Sequence, residues 1–174
     1  MTTKAAPHQQ LFDAEAWARC HLRQAPTLQP ETLHAVSGFA LVLSLFKGSV
    51  CHHRASVAEF EHVTGRINYS DDLVQGLTEC VAYYQFRYLA KGAFNARFER
   101  LRFRPNDRRP FVEAVLKGEK VLPADQMLAV LIIAYRIRNN LFHGLKSVHI
   151  WDDQANNISH AAKVLALALE ADGN

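Results

Sequence analysis

The chain has 174 residues, of which 49% are hydrophobic and 21% are charged, and its formal net charge is +3. With only 8 Gly, 6 Pro and no low-complexity tract, the composition excludes collagen, long coiled coils and intrinsic disorder, and it is that of a globular protein. A net charge of this size does not by itself identify a partner.

The length predicts one domain with one core, covering residues 1–174, with residues 1–10 flexible. No apolar run approaches the roughly 20 residues of a membrane span. The first residues lack the basic-then-apolar order of a signal peptide. The three cysteines are widely spaced and form no C-x-x-C motif, which is typical of reduced thiols. We therefore expect a cytoplasmic protein without a membrane segment.

Helix signals dominate the chain from its beginning to its end. Asp13 and Ser70 are suited to N-caps, Pro30 to a first helical position, and Gly118 to a helix stop. The predicted helices cover residues 13–23, 30–47, 55–65, 73–89, 111–117, 125–143 and 152–171. The sequence leaves open whether the fourth helix continues to Leu101. A loop is predicted over 104–110.

Strand signals are missing from the sequence. No segment alternates apolar and polar residues, and no Asn-Gly or Asp-Gly turn joins two strand-like runs. The sequence therefore predicts an all-α fold, a single helical-bundle domain of six or seven helices.

The helix predicted over 125–143 is apolar on two opposite sides, as expected for the central helix of a bundle. Its last turns change character and become polar. The polar residues there are Arg136, Arg138, Asn139, Asn140 and His143. Polar groups that extend the apolar stripe of a core helix are costly unless they are paired or used.

This segment reads Tyr135-Arg-Ile-Arg138-Asn139-Asn140-Leu-Phe-His143-Gly144. It resembles the HEPN superfamily of all-α domains, many of which are metal-independent ribonucleases. The hallmark of that family is an Arg, an adjacent polar residue and a His four to six positions later, near the end of a long helix. Arg138, Asn139 and His143 match this pattern.

The resemblance implies that the chain cleaves RNA without a metal or cofactor, giving 2′,3′-cyclic phosphate and 5′-hydroxyl ends. His143 would act as acid and base, Arg138 would stabilise the transition state, and Asn139 would orient these groups. It also implies a homodimer, with two motifs in one cleft, and the role of a toxin or antiviral effector with a cognate antitoxin or defence-system protein. Expected substrate-binding residues are Asn140, Arg136, Lys146, Lys47, Arg102 and Arg104.

This assignment agrees with elementary chemistry. RNA carries its own nucleophile, the 2′-hydroxyl. A histidine has a reference pKa of about 6.5 and can exchange protons near neutrality. An arginine stays charged and grips phosphate through a planar fork. An alternative remains open, in which His143 interacts with the helix dipole, Arg138 forms a surface ion pair, and the domain is an inactive module that binds a nucleotide or a protein.

Arginines alternate with aromatic residues over residues 94–109, a composition that suits a nucleic-acid backbone and exposed bases. Core phenylalanines beside a solvated helix end would give the same pattern. In relatives the early helix often ends in L-F-E, whereas this chain has Leu45-Phe46-Lys47, so Lys47 adds a positive charge. Metal binding is not expected, because the consecutive Cys51-His52-His53 diverge on a helix and Glu59 and His62 lack further ligands.

Overall fold

The computed structural model describes residues 13–21, 29–52, 55–142 and 154–173. The predicted all-α fold is confirmed, since these residues form seven helices of two turns or more and one single-turn helix. They are α1 (Ala14–His21), α2 (Pro30–Ser49), α3 (Val57–Arg66), α4 (Asp71–Tyr88), α5 (Ala96–Glu99), α6 (Arg109–Leu116), α7 (Pro123–Phe142) and α8 (Ala155–Asp172).

The ends of several helices follow local sequence signals. The Asp13 carboxylate accepts a hydrogen bond from the Ala16 amide at 2.9 Å, and the Ser70 hydroxyl accepts one from the Leu73 amide. Pro30 opens α2, and Gly118 follows α6 with a φ of +78°, a conformation that suits glycine. These predicted caps and stops are confirmed.

Helix α7 lies at the centre of the bundle. Every residue from Met127 to Ala134 is buried, so this half of the helix is enclosed on all sides. Helix α8 packs against α2 and α7, while α3, α4 and α6 cover other sides of α7. A helix apolar all round needs this enclosure to be stable in water.

Aromatic contacts set the direction of α2 relative to α7. The Phe39 ring stacks on that of Phe142, with 6.3 Å between centroids. Further along α2, Phe46 contacts Phe60 of α3, which in turn meets Tyr135 of α7 edge to face. Increasing residue numbers on α2 thus correspond to decreasing numbers on α7, so the two helices run antiparallel.

The expectation of a chain without strands is wrong in one place, and the fourth helix ends near residue 89 without continuing to Leu101. Helix α4 ends at Tyr88, and a small antiparallel hairpin follows, β1 (Leu89–Ala90) and β2 (Ala93–Phe94). Lys91 and Gly92 form its turn with φ values of +53° and +78°. Two central residues with positive φ are typical of the tight turns that join hairpins.

Helix α2 is long and apolar enough to cross a membrane by length and composition alone, with a mean hydropathy of 1.2. In the fold its inner side packs on α8 and buries Phe39 and Phe46. Its outer side leaves Leu41 62% and Leu45 52% exposed. The helix therefore contributes to the core and also presents an apolar outer face.

Candidate functional site

The C-terminal half of α7 has two different sides. Arg136 and Asn140 are four residues apart and share one side of the helix. Arg138 is two positions from each of them, which is a rotation of about 200° around the helix axis, so Arg138 and Phe142 lie on the opposite side. Arg136 and Asn140 are buried, while Arg138 is half-buried and Phe142 is 47% exposed. The five-residue sequence Arg136–Asn140 thus supplies two Arg–Asn pairs to two different environments.

Arg138 and Asn139 are joined to each other. The Arg138 guanidinium donates a hydrogen bond from Nη1 to the Asn139 Oδ1 atom at 2.8 Å. Asn139 is only 3% exposed, and its buried Nδ2 donor has no hydrogen-bond partner among the described residues. A buried donor left unpaired costs on the order of 1–3 kcal/mol, so this amide is held in place at a cost to stability.

Arg136 and Asn140 face the interior instead. Arg136 donates from Nε to the Leu101 carbonyl at 3.0 Å and from Nη2 to the Arg102 carbonyl at 2.6 Å. Asn140 Nδ2 donates to the carbonyls of Arg100 and Leu101. The prediction that Arg136 and Asn140 bind substrate is corrected here, because both side chains are turned inward and hold the backbone of the loop that follows α5.

Asp107 completes this arrangement. Its carboxylate lies 3.2 Å from Arg136 Nη1, and its Oδ2 accepts a hydrogen bond from the Arg104 amide at 2.6 Å. Both members of the ion pair are buried. Burial lowers the pKa of Arg136 below its usual value, while the charge of Asp107 opposes that shift and the charge of Arg104 adds to it. The guanidinium is thus stabilised by Asp107 and by backbone carbonyls.

The arginine-rich segment divides into core and surface residues. Phe98 is fully buried, and Phe94 and Phe103 pack beside its ring, so these aromatic residues belong to the core. Arg102 and Arg104 project outward and form no ion pair with another described residue. Arg102 has a φ of +53°, an uncommon conformation for a residue with a side chain.

Lys47 lies in the last turn of α2 and is half-buried. It is eight residues, or about 12 Å, beyond Phe39, the residue that stacks with Phe142. No hydrogen bond or ion pair connects Lys47 with Arg138 or Asn139 within the described part of the chain. The structure therefore does not bring Lys47 into direct contact with the motif.

His143, Gly144 and Lys146 lie outside the described residues, so the predicted acid–base residue and one predicted substrate-binding residue have no geometry here. Helix α7 is described as far as Phe142, next to the predicted end at 143. Sequence reasoning gave no role to Tyr135 or Asp107. The one available signal was position, since Tyr135 precedes Arg138 by one helical turn.

Within the described ranges, no three side chains of His, Cys, Asp or Glu come together as a potential ligand set.

Comparison of the chain with models of protein families, with curated proteins and with solved structures finds no match. The chemistry of the site therefore has to be inferred from its own residues.

Proposed function

We propose that this protein is a metal-independent endoribonuclease of the HEPN type, active as a homodimer in the cytoplasm. The observation that carries the proposal is the half-buried Arg138 guanidinium at the end of the central helix, held there by the side chain of Asn139. In this proposal Asn139 orients the Arg138 guanidinium through that hydrogen bond, and Arg138 contacts the substrate phosphate.

The reaction needs three groups beyond the RNA itself. A base removes the 2′-hydroxyl proton, the 2′-oxygen attacks phosphorus, and the bond to the 5′-oxygen breaks as an acid protonates that oxygen. In the proposal His143 supplies these proton transfers, and Arg138 stabilises the negative charge that accumulates on the phosphate oxygens. The products are a 2′,3′-cyclic phosphate and a 5′-hydroxyl.

One histidine and one arginine are few for this chemistry, so the proposal requires two chains. Phe142 is exposed at the end of α7 and stacks on Phe39 of α2, the helix whose outer face presents Leu41 and Leu45. This apolar surface beside the motif supports a two-fold interface that brings two copies of Arg138 together. His34, Ser37 and Ser44 interrupt the apolar face of α2, which favours a protein contact over lipid.

The antitoxin or defence-system protein expected as a further partner is also part of the proposal. A nuclease that attacks cellular RNA has to be restrained until it is needed, and the resemblance to HEPN toxins and antiviral effectors is the support for this role. Arg102 and Arg104, whose exposed charges have no ion-pair partner among the described residues, are the proposed contacts with the RNA backbone.

The test is cleavage of an end-labelled RNA by the purified full chain in EDTA. The proposal expects cleavage that persists in the chelator and 5′-hydroxyl ends that a polynucleotide kinase can label. The 3′ ends should carry a phosphate that a phosphatase removes only after the cyclic phosphate has been opened. A DNA strand of the same sequence should remain intact, because it lacks the 2′-hydroxyl.

Two results would contradict the proposal, and the first of them would replace the nuclease with its alternative, an inactive module that binds a nucleotide or a protein. The first is a folded protein that cleaves none of a broad set of cellular RNAs. The second is cleavage that is lost in EDTA and restored by magnesium, which would require another mechanism. The oligomeric state is measured in parallel by light scattering, and a monomer that cleaves RNA at micromolar concentration would contradict the composite site.

A further inference from the structure

A cleft of about 600 Å³ opens beside α7, a size typical of ligand-binding clefts. Its walls are the loop of residues 104–108, the start of α3 at Ser56, Val57 and Ala58, and Tyr135 of α7. We name it the 104–108 cleft. It combines an aromatic ring, small apolar side chains and arginines, the residue types that contact the bases and phosphates of single-stranded nucleic acids.

The charges of the 104–108 cleft leave one cation available. Glu61 accepts a hydrogen bond from Arg108, and Asp107 is paired with the buried Arg136, so both acidic side chains at the cleft are neutralised. Arg104 is exposed and has no side-chain partner among the described residues. An anion entering the cleft would therefore meet an uncommitted guanidinium.

The loop that carries Arg104 is fixed before any ligand arrives. The Asp107 carboxylate holds the Arg104 amide at 2.6 Å, and Arg136 anchors the Leu101 and Arg102 carbonyls on the other side of the loop. A ligand would not have to order this backbone, which reduces the entropic cost of binding. The 104–108 cleft is therefore preorganised.

The cleft also adjoins the Arg138 site. Tyr135 and Arg138 are three residues apart on α7 and lie on the same side of the helix, about one turn from each other. In the stretch Tyr135–Phe142, the residues that are not fully buried are Tyr135, Arg138 and Phe142. An RNA strand that places one phosphate at Arg138 therefore has its next nucleotide within reach of the cleft.

We propose that the 104–108 cleft seats a nucleotide of the substrate RNA next to the scissile phosphate, with its base against Tyr135 and its phosphate on Arg104. This inference rests on the proposed nuclease function and adds to it a substrate-binding subsite. Stacking on an aromatic ring accepts any base, so the subsite contributes affinity and register with little sequence preference.

The first experiment measures binding without cleavage. Adenosine and uridine 5′-monophosphates, adenosine and inorganic phosphate are titrated into the full chain and followed by amide shifts in NMR spectra. The expected result is that both nucleotides shift the resonances of Ala58 and of the 104–108 loop. Adenosine by itself and phosphate by itself should each bind at least about tenfold more weakly than the nucleotides. Equal binding of phosphate and nucleotides, or no binding of either, would overturn the subsite.

The second experiment uses three variants. Arg104→Ala removes the free cation, and Ala58→Trp fills the cleft from an exposed position in the first turn of α3. Lys163→Ala is the charge-matched control, since it removes an exposed cation of α8 that is paired with Glu79. The first two variants should weaken nucleotide binding about tenfold, and the control should bind as wild type does. Equal weakening in the control would indicate diffuse charge attraction and would overturn the proposal.

Cleavage assays separate this inference from the nuclease itself. We expect Arg104→Ala and Ala58→Trp to raise KM for RNA about tenfold. The slope of the logarithm of the RNA-binding constant against the logarithm of the salt concentration should become shallower by about 0.7, the value for one lost phosphate contact. If wild type cleaves RNA and both variants do so with unchanged KM, the subsite is wrong and the nuclease stands. If nucleotides bind in the cleft and wild type cleaves no RNA, the nuclease is wrong and the nucleotide site stands.

Discussion

Two Arg–Asn pairs on the same helix differ in what they bind. Arg136 and Asn140 donate hydrogen bonds to backbone carbonyls of the loop after α5, and Arg136 also pairs with Asp107. Arg138 and Asn139 bind each other and make no hydrogen bond to that loop among the described residues. The difference indicates that the first pair holds the loop in place and that the second pair does not.

A residue type therefore does not reveal its role without knowledge of what lies opposite. Arg136 and Arg138 are two positions apart, which separates them by about 200° around α7. Arg136 contacts the loop after α5, whereas Arg138 is half-buried and contacts Asn139. Substitutions at both arginines should consequently affect different properties of the protein.

The largest effect on stability is expected for Arg136→Met. The change leaves Asp107 buried without its counter-charge and removes two hydrogen bonds to carbonyls, so the free energy of unfolding should fall by about 3–5 kcal/mol. The matched variant Arg138→Met should lose less than about 1 kcal/mol. Urea unfolding followed by circular dichroism measures both. Equal losses at the two positions would remove the distinction between the two pairs.

A smaller loss is expected for Asn140→Leu. Its amide donates to the carbonyls of Arg100 and Leu101, and the Leu101 carbonyl keeps its bond to Arg136 in the variant. The expected decrease in the free energy of unfolding is about 1–3 kcal/mol. Urea unfolding under the same conditions gives the value, and wild-type stability in this variant would show that Asn140 does not hold the loop.

Asn139→Leu should change stability by less than about 1 kcal/mol in either direction. The variant loses the bond from Arg138 and also removes a buried donor that has no partner in the described part of the chain, so the two effects offset each other. RNA cleavage should nevertheless fall. A stability loss as large as that of Asn140→Leu would show that the Asn139 amide has a structural partner.

The cysteines provide a test of the core. Burial raises the pKa of Cys51 to about 12 and that of Cys80 to about 11, whereas Cys20 is exposed. At pH 8 a thiol reagent should therefore modify Cys20 rapidly and reach the other two only after unfolding. Mass spectrometry of the labelled peptides identifies the sites, and fast labelling of Cys80 in the native protein would contradict the buried packing of α4.

The same shifts set a pH dependence. A thiol whose pKa is raised in the folded state contributes stability that is fully present below the pKa of the unfolded chain, near 9, and is lost as the pH rises towards 11–12. The melting temperature should therefore fall between about pH 9 and pH 11. A Cys51→Ala/Cys80→Ala variant should show a shallower fall over that range.

Sequence patterns predicted the helices because periodicity and caps are local. Asp13, Pro30, Ser70 and Gly118 mark helix ends through interactions within a few residues of themselves. The hairpin after α4 was missed because its turn is Lys91-Gly92, which lacks the usual Asn-Gly or Asp-Gly pair.

The site could be predicted only in part, because the roles of its residues depend on distant contacts. The resemblance drew attention to residues 136–143 as one segment. The burial of Arg136 and Asn140 depends on residues 100–102, which lie more than 30 positions away. No local sequence pattern predicts that this loop folds over one side of α7. Substrate binding was therefore predicted for Arg136 and Asn140, which instead hold the backbone of the loop.

The most direct test of the account compares cleavage rate with stability in Arg138→Ala and His143→Ala. If Arg138 and His143 carry out the reaction, single-turnover cleavage of RNA in EDTA should fall by about 10²-fold or more in each variant. The melting temperature and the dimeric state should stay close to those of wild type. Folded, dimeric variants that cleave RNA as fast as wild type would contradict the assignment of the nuclease to this motif.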